Sequence, residues 1–309
     1  MKIVFLGTSA AVPTAQRSFP CICIQRDGEI LMFDAGEGSQ MTYRAAGLGW
    51  NKKMSIFVSH LHGDHCLGLL GMIQTMSLQD RDKRLFIYGP LGTEEFVRSN
   101  MRMLGTTPRF EVAVQDVTEG IICNTNSYAV HGCAAKHSIP TLSYLFKEHA
   151  KAGRFNVQRA HELGVPEGAL WGQLQRGNSV CVSGVQVTPG QVLGPSRPGI
   201  SIGYSGDSRP SPELEEFFTR CNYLIFDSTF TTDMIQRAIV TGHSTSAQAA
   251  TLAKNAQVQN LILTHFSARY QDADIHLKEA RRIHDSVIAA QDMLVIDVYK
   301  DGSYDTSSV

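Results

Sequence analysis

Ser55-Ile56-Phe57-Val58-Ser59-His60-Leu61-His62-Gly63-Asp64-His65 runs from an apolar segment straight into four side chains that can ligate a metal. Ser55–Ser59 has the length and composition of a buried strand. His60 and His62 are two residues apart, so they face the same way on an extended chain. Gly63 permits a turn that brings Asp64 and His65 back. Four such ligands within six residues can hold two adjacent metals, one on the histidine pair and one on Asp64 with His65. Imidazole and carboxylate donors suit Zn²⁺, with Mn²⁺ as a substitute. The next stretch, Cys66–Leu78, has helical spacing. The ligands therefore fall at the C-terminal end of a strand, the edge where α/β sheets carry their sites.

Three more apolar runs end the same way. Leu261–Thr264 runs into His265, Ile202–Gly206 into Asp207, and Tyr223–Phe226 into Asp227. Asp207 is the candidate for a carboxylate that bridges two metals. His137 and His265 are the candidates for the third ligand of each metal, and spacing does not say which belongs to which. Two metals about 3.5–4 Å apart clamp an in-line displacement at phosphorus. Asp64 can orient or deprotonate the attacking water. The leaving alkoxide needs a proton, which His243 in Thr241-Gly242-His243-Ser244-Thr245 can supply, with Asp227 orienting its ring. His131, His149 and His161 stand alone and read as ordinary surface or core residues.

The rest of the chain reads as one α/β domain over residues 1–309. Short β-type runs at Lys2–Leu6, Cys21–Gln25, Ile30–Phe33 and Leu85–Tyr88 are separated by Gly, Pro and Ser turns. Thr93–Leu104 reads as an amphipathic helix. Ser246–Asn255 reads as an Ala-rich helix with Ser244 or Thr245 as its cap. Leu277–Ala290 reads as a helix, Met293–Tyr299 as the final strand, and Asp301–Val309 as a frayed polar tail. Residues 147 to 178 differ in character. They carry Lys147, Lys151, Arg154, Arg159 and Arg176 against Glu148, Glu162 and Glu167, and read as an insertion that projects from the core.

Composition excludes several classes. With 309 residues, 43% hydrophobic and 18% charged, the chain affords a large core and is not disordered. A net charge of -1 excludes a histone-like binder, so any nucleic-acid site is a local patch. No apolar run reaches the roughly 18 residues of a membrane span. The 7 cysteines are an odd count with no C-x-x-C pair, which fits reduced thiols. Met1–Gly7 lacks the apolar core and cleavage site of a signal peptide, so the expected location is cytoplasmic.

His60-Leu61-His62-Gly63-Asp64-His65 resembles the signature of the metallo-β-lactamase superfamily. Further segments are similar to its tRNase Z (ribonuclease Z) branch, whose members remove the 3′ trailer from precursor tRNA. These are Phe5–Ser9 with Pro13–Arg17, Phe33–Gly38, Tyr88-Gly89-Pro90, Lys136-His137-Ser138, Tyr204–Asp207 and Gly242–Thr245. The last, Leu263–Tyr270, is close to branch-specific. The likeness spans nearly the whole chain, and the length fits the family's short form.

The resemblance implies an αββα metallo-β-lactamase sandwich with a projecting flexible arm at 147–178. It implies zinc-dependent phosphodiester hydrolysis that leaves a 3′-hydroxyl on the tRNA. One zinc would lie on His60, His62 and His137, the other on Asp64, His65 and His265, with Asp207 bridging, two per subunit. Asp64 would also accept the water's proton, and Asp34 would hold the metal loop. Arg269 and Tyr270 would face substrate phosphate, and Arg17 the acceptor stem. The arm would clasp the tRNA elbow in a homodimer whose one subunit grips what the other cuts.

Three positions depart from the family pattern. Gly168-Ala169 stands where a Gly-Pro step is common. Ser18 stands where Asn is common. Asp227-Ser228-Thr229 stands where the family has Glu in H-E-A-T, and the shorter side chain predicts a longer or water-mediated link to His243. Two rival readings share the fold. One is a phosphodiesterase or thioesterase of the superfamily acting on a small substrate, which would not need Arg269-Tyr270 or an arm. The other is an inactive RNA-binding homologue, against which the full ligand set argues.

Overall fold

Strands whose residues are apolar at every position need cover on both faces, and the chain has two groups of them. The computed structural model describes residues 1–299, 301 and 303–309. One sheet has eight strands in the order Tyr304–Ser308, Leu294–Val298, Lys2–Gly7, Cys21–Arg26, Glu29–Phe33, Lys53–Phe57, Leu85–Gly89 and Val112–Asp116. The second has seven, in the order Val287–Ala289, Asn260–Thr264, Tyr223–Asp227, Ser201–Tyr204, Thr141–Glu148, Tyr128–Ala135 and Gly120–Asn124.

The side-chain period of two sorts each strand. Ile30, Met32, Met54 and Ile56 point outward into a core shared with Met72, Ile73 and Met76 of helix Gly68–Leu78 and Val97 of helix Thr93–Met103. Phe33 and Phe57 point the other way. Phe57 meets Tyr144 of the second sheet at 5.5 Å between ring centroids, and Phe33 meets Tyr204 at 5.8 Å. On the far side, Leu224, Phe226, Leu261 and Leu263 pack on Ala249, Ala250 and Ala253 of helix Ser246–Asn255. The layers are helix, sheet, sheet, helix. Each buried ring stabilises the stack by roughly 1.5–3 kcal/mol.

Parallel pairing sets the working edge. Glu29–Phe33, Lys53–Phe57 and Leu85–Gly89 run parallel, with Phe33 beside Phe57 and Phe57 beside Tyr88. Ser201–Tyr204, Tyr223–Asp227 and Asn260–Thr264 also run parallel, with Asp227 beside Thr264. The residues that follow these strands therefore leave each sheet at one edge.

The C-terminal region departs from the sequence reading in two places. The helix expected over Leu277–Ala290 is Asp274–Ala280, and Val287–Ala289 is a strand paired parallel to Leu261–Leu263. His284 ends the helical path by bonding out of it, its Nε2 lying 2.9 Å from the Val258 carbonyl. The β-branched Val287 and Ile288 then fill a sheet edge. The tail is not frayed either. Tyr304–Ser308 pairs antiparallel with Leu294–Val298, Thr306 beside Ile296, and so covers an otherwise open strand. Thr245 is the cap of Ser246–Asn255, in a reciprocal pair with Gln248.

The chain divides into two compact units, the second comprising Asn126–Tyr128 and Glu148–Gly199. The second has its own small core of Ala160, Val165, Leu174, Val180, Val187 and Val192, with Phe155 and Trp171 packed on it. Its elements are helices Val157–Glu162, Ala169–Gln175 and Pro189–Val192 and a hairpin, Val180–Val182 with Val185–Val187. Residue 178 falls inside this unit, because the hairpin supplies Val180 and Val187 to the core. Ala169 is the first residue of its helix, a position that needs no backbone donor. No described helix is long and apolar enough to cross a membrane. All 7 cysteines are free, and Cys21, Cys23, Cys66 and Cys221 are buried.

Candidate metal centre

Seven side chains converge at the shared strand edge in two overlapping quartets. The first is His60, His62, His137 and Asp207, and the second Asp64, His65, His265 and Asp207. In the first, His62 Nδ1 lies 3.0 Å from His60 Nε2 and 3.2 Å from His137 Nε2. Asp207 Oδ2 lies 3.6 Å from His60 Nε2 and 3.9 Å from His137 Nε2. In the second, Asp207 Oδ1 lies 3.2 Å from His65 Nε2 and 3.1 Å from His265 Nε2. Asp64 Oδ2 lies 3.5 Å and 3.7 Å from the same two nitrogens. The two oxygens of one carboxylate thus face two separate sets of donors.

These spacings fit metal ions better than hydrogen bonds. A tetrahedral ion with bonds of about 2.0–2.1 Å has edges of about 3.3 Å. His65 Nε2 and His265 Nε2 are 3.3 Å apart. Asp207 Oδ1 is a buried acceptor with no hydrogen-bond partner among the described residues. A carboxylate oxygen left that way is costly unless a cation meets it.

Four of the five imidazoles are held from behind through their other nitrogen, which sets the orientation of the ring. His60 Nδ1 donates to Ser59 Oγ at 2.9 Å, and Ser59 Oγ donates on to Asp34 Oδ2 at 2.8 Å. His65 Nδ1 donates to Asp34 Oδ2 at 2.7 Å. Asp34 also accepts from Ser59 N and from the Tyr204 hydroxyl, both at 2.6 Å. His265 Nδ1 donates to Thr229 Oγ1 at 2.9 Å, which donates to Asp227 Oδ1 at 2.7 Å. His137 Nδ1 donates to the Gly242 carbonyl at 2.9 Å. In these four rings Nε2 is the nitrogen turned inward, toward the carboxylates. Burial, aided by the neighbouring His65, pushes the His60 imidazole down to about 2, so it is neutral. Burial opposes charge on Asp207, but His265 and His65 outweigh it and hold the carboxyl well below the usual range.

The backbone is shaped for this. His265 and Asp34 have φ of 63° and 58°, in the left-handed region that non-glycine residues rarely occupy. Gly242, at φ 75°, could not carry a side chain, since a Cβ would come 2.9 Å from His137 Nδ1. Gly242 is where the chain passes over the first quartet.

His243 lies beside both quartets, its Nδ1 donating to Asp227 Oδ2 at 2.8 Å. The shorter Asp227 makes a direct bond, not the long or bridged one its length predicts. It can because Asp227 ends a central strand, and Ser208 N and Thr229 N also donate to it, at 3.1 and 2.9 Å. Burial disfavours a charged His243, but the Asp227 carboxylate outweighs it and raises the ring to about 9. Asp64 also accepts from Ala11 N at 2.9 Å. Burial opposes its charge too, yet the bond from His265 and the charge on His65 hold it ionised.

A cleft of about 440 Å³ opens beside His243, lined by Val12, Phe230, Arg237 and Arg269 among others. Of the three residues expected to face substrate, Arg269 lines this cleft. Tyr270 spends its hydroxyl on Thr231, accepting from Thr231 N at 3.1 Å. Arg17 is 9% exposed, donates to the Tyr270 carbonyl at 2.8 Å and lies over the Phe266 ring. It braces the 266–270 turn. Arg237 and Phe230 escaped the sequence reading, because nothing local distinguishes them from other residues near Thr241–Thr245. Tyr204 was legible as strand and as the start of a segment similar to the family, but not as the hydroxyl that anchors Asp34.

A family profile described as "Anti-Pycsar protein Apyc1" matches residues 1–105, which include Asp34 and the His60–His65 run but not Asp207, His243 or His265. A ribonuclease Z of Nitrosopumilus maritimus (strain SCM1) is 55% identical over 298 residues, 96% of this chain and 100% of that one. One from Methanosarcina acetivorans is 40% identical over 299 residues, 96% of this chain and 98% of that one. The chain belongs to the ribonuclease Z family. The crystal structure of human tRNase Z, short form (ELAC1), aligns with TM-score 0.71 and 25% identity over 96% of this chain and 99% of that one. The metallo-β-lactamase fold protein YhfI of Bacillus subtilis aligns with TM-score 0.69 and 18% identity over 95% and 98%. The ribonuclease Z fold is therefore the αββα metallo-β-lactamase sandwich described above.

Proposed function

We propose that this ribonuclease Z removes the 3′ trailer from precursor tRNA by hydrolysing one phosphodiester bond at a two-metal centre, leaving a 3′-hydroxyl on the tRNA. That it is an endoribonuclease of the tRNase Z type and uses a metal follows from its family and its His/Asp cluster. The observation that carries the two-metal reading is the sharing of Asp207, one oxygen to each quartet.

Two bound divalent ions would acidify a shared water and neutralise phosphate charge. The residues do the rest. His60, His62, His137 and Asp207 would hold one ion, and Asp64, His65, His265 and Asp207 the other. The contacts of Asp64 gather on Oδ2, so Oδ1 is the atom to receive the attacking water's proton. His243, charged by virtue of Asp227, gives its Nε2 proton to the departing O3′. Asp227 acts twice, through His243 directly and through Thr229 on His265.

The donor chemistry supports zinc, two per subunit, with Mn²⁺ able to replace it. Residues 147–178, most of which lie in the second compact unit, are proposed as the arm that grips the tRNA elbow, within a homodimer working in the cytoplasm. Seven free thiols support a reducing compartment.

The test is single-turnover incubation with a 3′-extended precursor tRNA, before and after chelation and zinc re-addition, with the cut mapped. A metal-dependent cut just after the last tRNA nucleotide is expected. An intact precursor alongside hydrolysis of a small diester would overturn the substrate and leave the two-metal site standing.

A further inference from the structure

The cleft beside His243 includes Val12, Phe230, Ala268, Arg237 and Arg269 in its lining, and no described carboxylate. Two guanidinium groups thus meet one open cleft with no anion between them. Arg269 is steadied by a 3.1 Å bond from its Nη1 to Ser267 Oγ. Arg237 stands on helix Ile235–Thr241, which ends at Gly242, one residue before His243. The exposed apolar side chains Val12 and Ala268 beside planar, charged donors match the two halves of a nucleotide, the base and the phosphate.

The direction of the reaction says which nucleotide. Water attacks phosphorus and the bond from phosphorus to O3′ of the last tRNA nucleotide breaks. The oxygen leaves with the electron pair and takes a proton from His243, while the phosphate stays on the trailer. The nucleoside attached to that oxygen must lie on the His243 side of the centre, where the cleft is. The geometry points to Arg237 as a substrate-binding residue that, with Arg269, holds the phosphate 5′ to the last tRNA nucleotide, whose base lies against Val12 and Ala268. This rests on the precursor-tRNA reading above.

The experiment pairs a protein change with a phosphate change. Single-turnover cleavage is measured as a function of enzyme concentration on natural precursor tRNA. It is repeated on precursor with an uncharged methylphosphonate 5′ to the last tRNA nucleotide. Arg237→Ala is expected to weaken half-saturation about tenfold on the natural substrate, and less than twofold on the methylphosphonate. Arg237→Lys should recover part of the loss. A methylphosphonate one position further into the acceptor stem should leave the tenfold difference in place. Equal losses on both substrates, or no loss on the natural one, overturn the assignment. Wild-type protein that leaves the natural precursor uncut overturns the substrate reading, and this inference with it. Wild-type cleavage with an indifferent Arg237→Ala overturns this inference alone.

Discussion

His60, His62, Asp64 and His65 arrive on one turn of chain, whereas His137, Asp207 and His265 arrive on three segments far apart in sequence, yet both groups meet at 3.0–3.9 Å. The first group needs only a strand, a glycine turn and a helix start. The second needs the register of the second sheet and one outer partner apiece. Gly242 holds His137, Thr229 holds His265, and the turn at Gly206 delivers Asp207. A local cluster is built by chain geometry, and a distributed one by packing. Asp207, the distributed ligand that both quartets share, should therefore be the one whose loss is felt across both sites, whereas the outer partner of a single histidine matters to its own site.

The largest expected effect is at the residue both quartets share. Asp207→Ala should empty both sites and cut precursor cleavage on the order of a thousandfold or more. Metal content measured after zinc re-addition checks it, and retention of one tightly bound ion would break the shared-bridge comparison. Next is His243→Ala, which belongs to neither quartet. It should slow single-turnover cleavage by about 10²- to 10⁴-fold with both ions retained. An unchanged rate would return His243 to a purely structural place at the entry of helix Ser246–Asn255. The smallest is Thr229→Val, which removes the hydroxyl between His265 and Asp227. It should weaken metal affinity at the second site by about 10- to 100-fold and leave the first untouched. Competition with a fluorescent chelator separates the two, and equal weakening of both would mean that the sites are not held independently.

Much of this arrangement can be read from residues in order. Apolar runs ending in His60, Asp207, Asp227 and His265 are visible as such, because a buried strand is a continuous apolar run and its end is marked by the first polar side chain. The Thr245 cap is visible for the same local reason. The 274–289 segment was not, since helical spacing over Leu277–Ala290 and a short buried strand look alike until a sheet edge is there to be filled. The tail misled in the opposite sense. Tyr304–Ser308 is polar and has no pattern of its own, and only the open edge of Leu294–Val298 makes it a strand.

Sequence alone made legible the residues of the two quartets and the strand-end positions of most of them, because residue types and short spacings carry that information without reference to distant chain. Tertiary structure decided which third histidine goes to which quartet. It also decided that Asp227 reaches His243 directly, that Arg17 is spent on the Tyr270 carbonyl, and that Arg237 shares a cleft with Arg269. Each of those depends on where two separate segments of chain are held, and only sheet register and close packing fix such distances to a few tenths of an ångström.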